Sequence, residues 1–575
     1  MEDDILLEFN NFGFQYNAQA TPTLTDINLT LRRGERVLIA GPSGCGKSTL
    51  IHCINGLIPF SYKGEISGSL KIKGRETRDL SLFEISKTVG TVLQDSDAQF
   101  VGMTVAEDIA FALENDCVGE PGLHDRVKSV AAMVDIDGFL THAPGELSGG
   151  QKQRVSVAGI LVDDVDILIF DEPLANLDPA TGKGAIELID RMQEETGAAV
   201  IIVEHRLEDV LHKSVDRIVL MYEGAIRADM SADEILSGSL LKECGIREPL
   251  YITALKYAGV EIKPGIKPSS LKTIELKEED KERVRTWYGN TAAKAEPEPK
   301  GELLRTDKLD FTYENGKVHA LRGITLLINK GEMTAIVGTN GAGKSTFAKV
   351  ICGFEKETGG TIYYKGKDIK DLSIKERAEN IGYVMQNPNQ MISKVFIYDE
   401  VALGLRNRGI DEGEVEARVE AALRICGLWR MRKWPVSALS YGQKKRVTIA
   451  SILTLEPDMI ILDEPTAGQD YRHYTEIMEF LKELNRTGIT VLMVTHDMHL
   501  MLEYADRAIV FSHGSVIADD KCYNILTDRE VISEASLKET SLYELALKCG
   551  IGDGSDFVKS FIQYERSEGR NDKPL

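Results

Sequence analysis

The sequence lacks several things, and each absence narrows the choice. No apolar run approaches the roughly 20 residues that a membrane-crossing helix needs; the strongest, Ile167–Phe170 and Met459–Leu462, have the length of buried strands. The eight cysteines are scattered and form no CxxC pair, which argues against a zinc site or a disulfide framework and fits a reducing compartment. Basic residues are outnumbered, 68 Lys+Arg against 90 Asp+Glu, for a net charge of −22. So acidic a surface repels phosphate backbones, and nucleic acid is not expected as the main partner. The first residues, Met1-Glu2-Asp3-Asp4, are acidic where a signal peptide would be basic. Any service to a membrane is therefore expected from the cytosolic side, through a partner.

What is present is a repeat. Gly41-Pro42-Ser43-Gly44-Cys45-Gly46-Lys47-Ser48-Thr49 returns as Gly338-Thr339-Asn340-Gly341-Ala342-Gly343-Lys344-Ser345-Thr346, at an offset of 297. Leu147-Ser148-Gly149-Gly150-Gln151 returns as Leu439-Ser440-Tyr441-Gly442-Gln443, at an offset of 292. Asp171-Glu172-Pro173 and Gln94 recur 292 residues on as Asp463-Glu464-Pro465 and Gln386, and His205 recurs 291 on as His496. So steady an offset means two copies of one domain. The reading is a first domain over 1–240, its helical extension over 241–288, a linker rich in Glu and Pro over 289–301, a second domain over 302–530 and its extension over 531–575.

Each copy reads as α/β. Short β-branched runs, Arg36–Ala40 and Thr334–Val337, lead into glycine-rich loops, and Val155, Ala158, Gly159 and Val162 mark one face of a helix. The loops match GxxxxGK[ST], in which backbone N–H groups and a helix N-terminus converge on phosphate. Lys47 and Lys344 would reach the β- and γ-phosphates of ATP, and Ser48 and Ser345 would hold Mg²⁺. Asp171 and Asp463, at strand ends, suit the metal shell. Glu172 and Glu464 follow directly and can face an attacking water as general base. Gln94 and Gln386 could touch both metal and water, and His205 and His496 could donate to the γ-phosphate. Tyr16 and Tyr313 could stack on adenine. Ser148 to Gln151 and Ser440 to Gln443 offer a second phosphate-gripping surface at a helix start.

In this order, these residues resemble the ABC ATPase family over nearly the whole chain, twice. The resemblance implies two P-loop NTPase domains in tandem, each with a helical signature subdomain and a C-terminal extension. It implies ATP sandwiched head to tail within one chain. Site one would join Gly41–Thr49, Gln94, Asp171, Glu172 and His205 to Ser440, Gly442 and Gln443. Site two would join Gly338–Thr346, Gln386, Asp463, Glu464 and His496 to Ser148, Gly150 and Gln151. Tyr441 departs from the signature and is expected to reduce precision at site one.

The stretches after Gln94 and Gln386 are similar to the ATPases of energy-coupling factor and cobalt/nickel importers. That similarity implies a groove for an integral-membrane T component, and a separate S component that captures a vitamin, a vitamin precursor or a transition-metal ion. The acidic pairs Glu107-Asp108 and Asp399-Glu400 are expected either to meet basic residues of that partner or to be solvated helix charges. Two other readings stay open: a soluble tandem ABC ATPase acting on ribosomes or nucleic acid, and a tandem sugar-importer ATPase.

Overall fold

The computed structural model describes residues 4–94, 99–175, 177–291, 301–313, 316, 318–466 and 469–567. The chain divides into two compact units, Met1–Val284 and Arg285–Leu575. Most of the linker expected over 289–301 lies outside the described residues.

The first unit is built on a six-stranded sheet in the order Ala225–Met230, Arg217–Tyr222, Arg36–Ala40, Ala199–Val203, Ile167–Asp171, Val89–Val92. Its inner pairings are parallel and only the edge hairpin is antiparallel. Parallel strands are covered on both faces, which is why their sequences are continuous apolar runs rather than alternating ones. Arg36–Ala40 and Ala199–Val203 are buried at every position. A separate antiparallel sheet holds Leu24–Arg32, Ile5–Tyr16, Gly64–Ile72 and Arg75–Glu76. Helices Val105–Asn115, Glu120–Met133 and Gly149–Leu161 pack on one another, and Val155, Ala158 and Val162 of the expected face are buried.

The second unit repeats this plan. Its six strands run Ile381–Val384, Met459–Asp463, Thr490–Val494, Met333–Gly338, Arg507–Ser512, Ser515–Asp520, and its antiparallel sheet holds His319–Asn329, Glu302–Thr312, Gly359–Tyr364 and Lys367–Asp368. Helices Ile397–Arg406, Glu412–Ile425 and Tyr441–Leu453 form its helical part. Both units are thus the α/β fold read from the sequence, with the glycine-rich loop at the carboxyl end of an interior parallel strand, where open sheets bind ligands.

Each unit also carries a helical C-terminal extension, beginning with Leu250–Tyr257 and Ser541–Lys548. The division between units falls inside helix Glu278–Asn290. Val284 is buried in the first unit. In the second, Arg285 donates to the Cys549 carbonyl (2.9 Å), Tyr288 donates to Asp556 (2.8 Å), and the Trp287 ring meets Phe557 edge-on. The sequence places the end of the first extension four residues later, because these aromatic residues carry no mark of which copy they join.

Candidate active sites

The glycine-rich loops have the same construction in both units. Strand Arg36–Ala40 is followed by helix Lys47–Ile54, and strand Met333–Gly338 by helix Lys344–Cys352. The residues that start these helices, Gly46 and Gly343, are left-handed (φ 101° and 100°), and a Cβ at Gly343 would stand 2.5 Å from the Ala320 carbonyl oxygen. Only glycine allows that turn. Neither offers a side chain to cap its helix, so the first-turn N–H groups face outward for an anion. Lys47 is buried, and its ammonium donates to the carbonyls of Gly41 (2.8 Å) and Pro42 (2.9 Å). Lys344 does the same to Gly338 and Thr339, both at 2.8 Å. These carbonyls satisfy the buried charge and hold it under the loop that would cradle phosphate.

Asp171 and Asp463 end their strands, and Glu172 and Glu464 come next with φ of 48° and 46°. A non-glycine residue there costs about 1 kcal/mol or more. The left-handed turn takes the second carboxylate away from the direction of the first. The glutamate N–H groups still donate to Val203 and Val494, which pins the turn.

In the first unit, side chains form a chain across the site. Gln94 Nε2 donates to Glu172 Oε2 (2.6 Å), His205 Nε2 lies 2.7 Å from Glu172 Oε1, and His205 Nδ1 lies 3.1 Å from the Gly41 carbonyl oxygen. A carbonyl only accepts, so Nδ1 carries the proton in that contact. Burial raises the Glu172 pKa, but the His205 hydrogen bond together with the His205, Lys47 and Arg206 charges outweighs it, and the carboxyl lies below its usual range. Asp171 is pushed up to about 6 by burial and by the neighbouring Glu172 charge. Ser48 is exposed at the first helical turn.

The second unit differs. Ser345 donates to Asp463 Oδ1 (3.2 Å), and Tyr383 donates to Oδ2 of the same carboxylate (2.9 Å). His496 Nε2 lies 3.2 Å from Glu464 Oε1. Burial pushes Glu464 up to about 8; the Lys344 charge opposes this and the Asp463 charge adds to it. Gln386 enters through its backbone, whose carbonyl accepts from Tyr441 Oη (2.9 Å) and Lys445 Nζ (3.2 Å). Burial pushes the Lys445 ammonium down to about 8, against the Glu464 and Asp463 charges.

The signature segments begin helices. Ser148 Oγ caps Gln151 N–H, and the Gln151 side-chain oxygen returns to Ser148 N–H (2.8 Å). Ser440 and Gln443 repeat this capping box. Gly149, Gly150, Tyr441 and Gly442 form the first turns behind these caps. Tyr16 and Tyr313 are half-buried; each hydroxyl lies 3.1 Å from the hydroxyl of Thr49 or Thr346, and each ring stands edge-on to Phe14 or Phe311.

Three groups escape the sequence reading. Glu204, 2% exposed, accepts N–H bonds from Leu174, His205 and Arg206 and so fixes the histidine turn. Tyr383 stands opposite Thr91 of the first copy and Lys445 opposite Gln153, so the repeat locates them but no motif marks them.

The acidic pairs need a correction. Asp108 accepts from Val101 and Gly102 N–H, and Glu400 accepts at equivalent positions from Ser393 and Lys394 N–H. Glu107 caps its own helix, and Asp399 pairs with Arg406. All four therefore have partners in their own chain, three of them at backbone N–H groups, while Glu107 and Asp399 keep substantial exposure. Backbone donors are in reach at once, which no charge pattern reveals.

Comparison with known proteins agrees with this construction. A family model described as "ABC transporter" matches residues 24–175 and 321–467, and one described as "ATP-binding cassette cobalt transporter" matches 238–311. A Clostridium perfringens protein named as an ABC transporter ATP-binding protein is 60% identical over 566 residues, covering 98% of this chain and 99% of its own. An Enterococcus faecalis protein of like name is 53% identical, covering 98% of each. The solved structure of cbiO1 from Clostridium perfringens, described as part of the ABC transporter complex cbiONQ, is 38% identical, covers 41% of this chain and 94% of its own, and has a TM-score of 0.38. With two complete sets of nucleotide motifs on two repeated α/β units, and relatives alike from end to end, the chain belongs to the ABC transporter ATP-binding proteins and is an ATPase.

Proposed function

We propose that the chain energises an importer of the energy-coupling factor type, which takes up a vitamin, a vitamin precursor or a transition-metal ion. It would sit on the cytoplasmic face of the membrane, bound to an integral-membrane T component that works with a substrate-capturing S component. No helix among the described residues is long and apolar enough to cross a bilayer, so attachment would run through that partner. The observation that carries the reading is the surface beyond each Gln segment. Met103 is 83% exposed and Val395 69%, with Val101, Phe111, Phe396 and Trp434 also exposed. In the second unit a cavity of about 370 Å³ lies there, lined by Ile392, Val395 and Val436 with Lys394 and Lys444. Apolar side chains held in the open by a braced loop suit a docking helix.

In this reading ATP lies between the loop of one copy and the signature of the other, so each site needs both copies. Gly41–Thr49 or Gly338–Thr346 would bind the phosphates, and Tyr16 or Tyr313 the base. The oxygen donors Ser345 and Asp463, already 3.2 Å apart, fit Mg²⁺, and Gln386 would join them; Ser48, Asp171 and Gln94 would be their counterparts. When bound, the metal would neutralise charge on the β- and γ-phosphates. Glu172 or Glu464 would take the proton of the attacking water, and His205 or His496 would hold that carboxylate in place.

The test is purification of the tagged full chain from detergent-solubilised membranes. An integral-membrane protein in stoichiometric amount, lost on Met103→Asp plus Val395→Asp, is expected. Ribosomes or RNA in its place would overturn the importer reading.

A further inference from the structure

Helix Tyr441–Leu453 carries two side chains, one turn apart, that leave the helix for carbonyls of other segments. Tyr441 donates to the Gln386 carbonyl (2.9 Å). Lys445 donates to the same oxygen (3.2 Å) and to the Glu464 carbonyl (2.9 Å). Lys445 is 0% exposed. A buried ammonium is tolerated only where its protons are accepted, and these carbonyls accept them.

The first copy shows that the fold does not need it. There the equivalent position is Gln153, whose amide donates to the Pro173 carbonyl (3.0 Å), and the equivalent of Tyr441 is Gly149, which has no side chain. The tyrosine and lysine are therefore an addition peculiar to the second copy. What they add is a link among three functional segments: the Gln386 turn, the signature helix and the strand end at Glu464. In the first copy the Gln94 segment meets its site differently, through the side-chain bond from Gln94 to Glu172.

We propose that Tyr441 and Lys445 are positioning residues that yoke the Gln386 segment, the signature helix and the Glu464 turn of the second copy into one mechanical body. The consequence rests on the composite-site reading above. Ser440 and Gly442 would complete site one while Glu464 works in site two. A push on the Gln386 segment thus reaches both ATP sites, whereas among the described residues the Gln94 segment reaches Glu172 through its own side chain.

The experiment transplants the first copy's pair into the second: Lys445→Gln with Tyr441→Gly in the full chain. Amide hydrogen exchange over residues 386–394, without nucleotide, is expected to quicken about tenfold, and Lys445→Arg alone, which keeps donors for both carbonyls, should stay near the parent. Unchanged exchange in the transplant overturns the yoke whatever the ATPase does. Should the transplant fail to fold, Tyr441→Phe decides: quickened exchange supports the yoke and parental exchange overturns it. The ATPase is then read in the Glu172→Gln and Glu464→Gln backgrounds. The transplant is expected to lower kcat about threefold in both, with the KM for ATP within about twofold. Faster exchange with kcat lowered only in the Glu172→Gln background keeps the yoke and sinks the composite-site reading.

Discussion

The two copies share a strand order, a motif order and left-handed glutamates, yet their polar wiring differs. In the first, the contacts centre on the glutamate: Gln94 to Glu172 and Glu172 to His205, whose other ring nitrogen meets the Gly41 carbonyl. In the second, the aspartate is held by the hydroxyls of Ser345 and Tyr383, His496 stands 3.2 Å from Glu464, and Tyr441 and Lys445 add links to backbone carbonyls. The glutamate responds to this. Burial raises both carboxyls, but His205 at 2.7 Å, with the Lys47 and Arg206 charges, brings Glu172 below its usual range, whereas Glu464 stays at about 8. A repeated fold therefore does not entail repeated electrostatics. The motifs fix which atoms are near, while burial, hydrogen bonds and neighbouring charges together set how readily each glutamate ionises.

The largest test removes the bases altogether. Glu172→Gln with Glu464→Gln keeps size and turn but cannot accept a proton, and steady-state ATP hydrolysis should fall at least about a hundredfold. Retained turnover in that double variant would remove the glutamates from the chemistry and make their difference irrelevant.

Next is pH. Glu464 must be ionised to act, and with a pKa of about 8 its ionised fraction rises about tenfold between pH 7 and pH 9. In the Glu172→Gln background, where Glu464 is the remaining base, kcat should climb through that window. In the Glu464→Gln background it should be nearly flat, because Glu172 is already ionised there. Identical profiles would erase the comparison.

A smaller effect should follow Tyr383→Phe, which removes one hydrogen bond to Asp463. A bond to a carboxylate contributes about 1.5–3 kcal/mol, so the Mg²⁺ concentration for half-maximal ATPase should change by more than about fivefold when Glu464 is the only base. Thr91→Val, at the matching place in the first copy, should change it by less than about twofold.

The smallest is expected at the tyrosines. Tyr16→Phe and Tyr313→Phe lose only the hydroxyl contact to Thr49 or Thr346 and keep the ring. The KM for ATP should stay within about threefold of the parent in both, and thermal unfolding should shift little, since a neutral hydrogen bond contributes about 1 kcal/mol. A large loss in one alone would show that the copies also differ at the base.

Much of this was legible in the sequence, for a physical reason. Phosphate binding requires glycine where the chain turns left-handed, a lysine beneath the loop and carboxylates at strand ends, and each requirement fixes residue type and spacing together. The apolar strands were legible too, because a parallel strand must be apolar throughout. Other features depend on choices among equivalent partners. Glu400 was free, as a sequence, to face solvent, a membrane partner or the Ser393 and Lys394 amides, and it takes the amides. Lys445 reads as an ordinary helix lysine until its burial is known. Tyr441, expected only to blunt the signature, acquires a partner in the Gln386 carbonyl that lies 55 residues away along the chain. Trp287 and Tyr288 read as the tail of one copy and pack in the unit of the other.

The left-handed turn at Glu172 and Glu464 has a consequence for evolution and engineering alike. Glycine would occupy that backbone without strain, so each unit accepts about 1 kcal/mol of backbone strain to keep its base. Selection for thermal stability alone would drift toward a well-folded, inert protein. A screen that scores only folding should therefore accept glycine at these two positions, and a screen for ATP hydrolysis should return the glutamates.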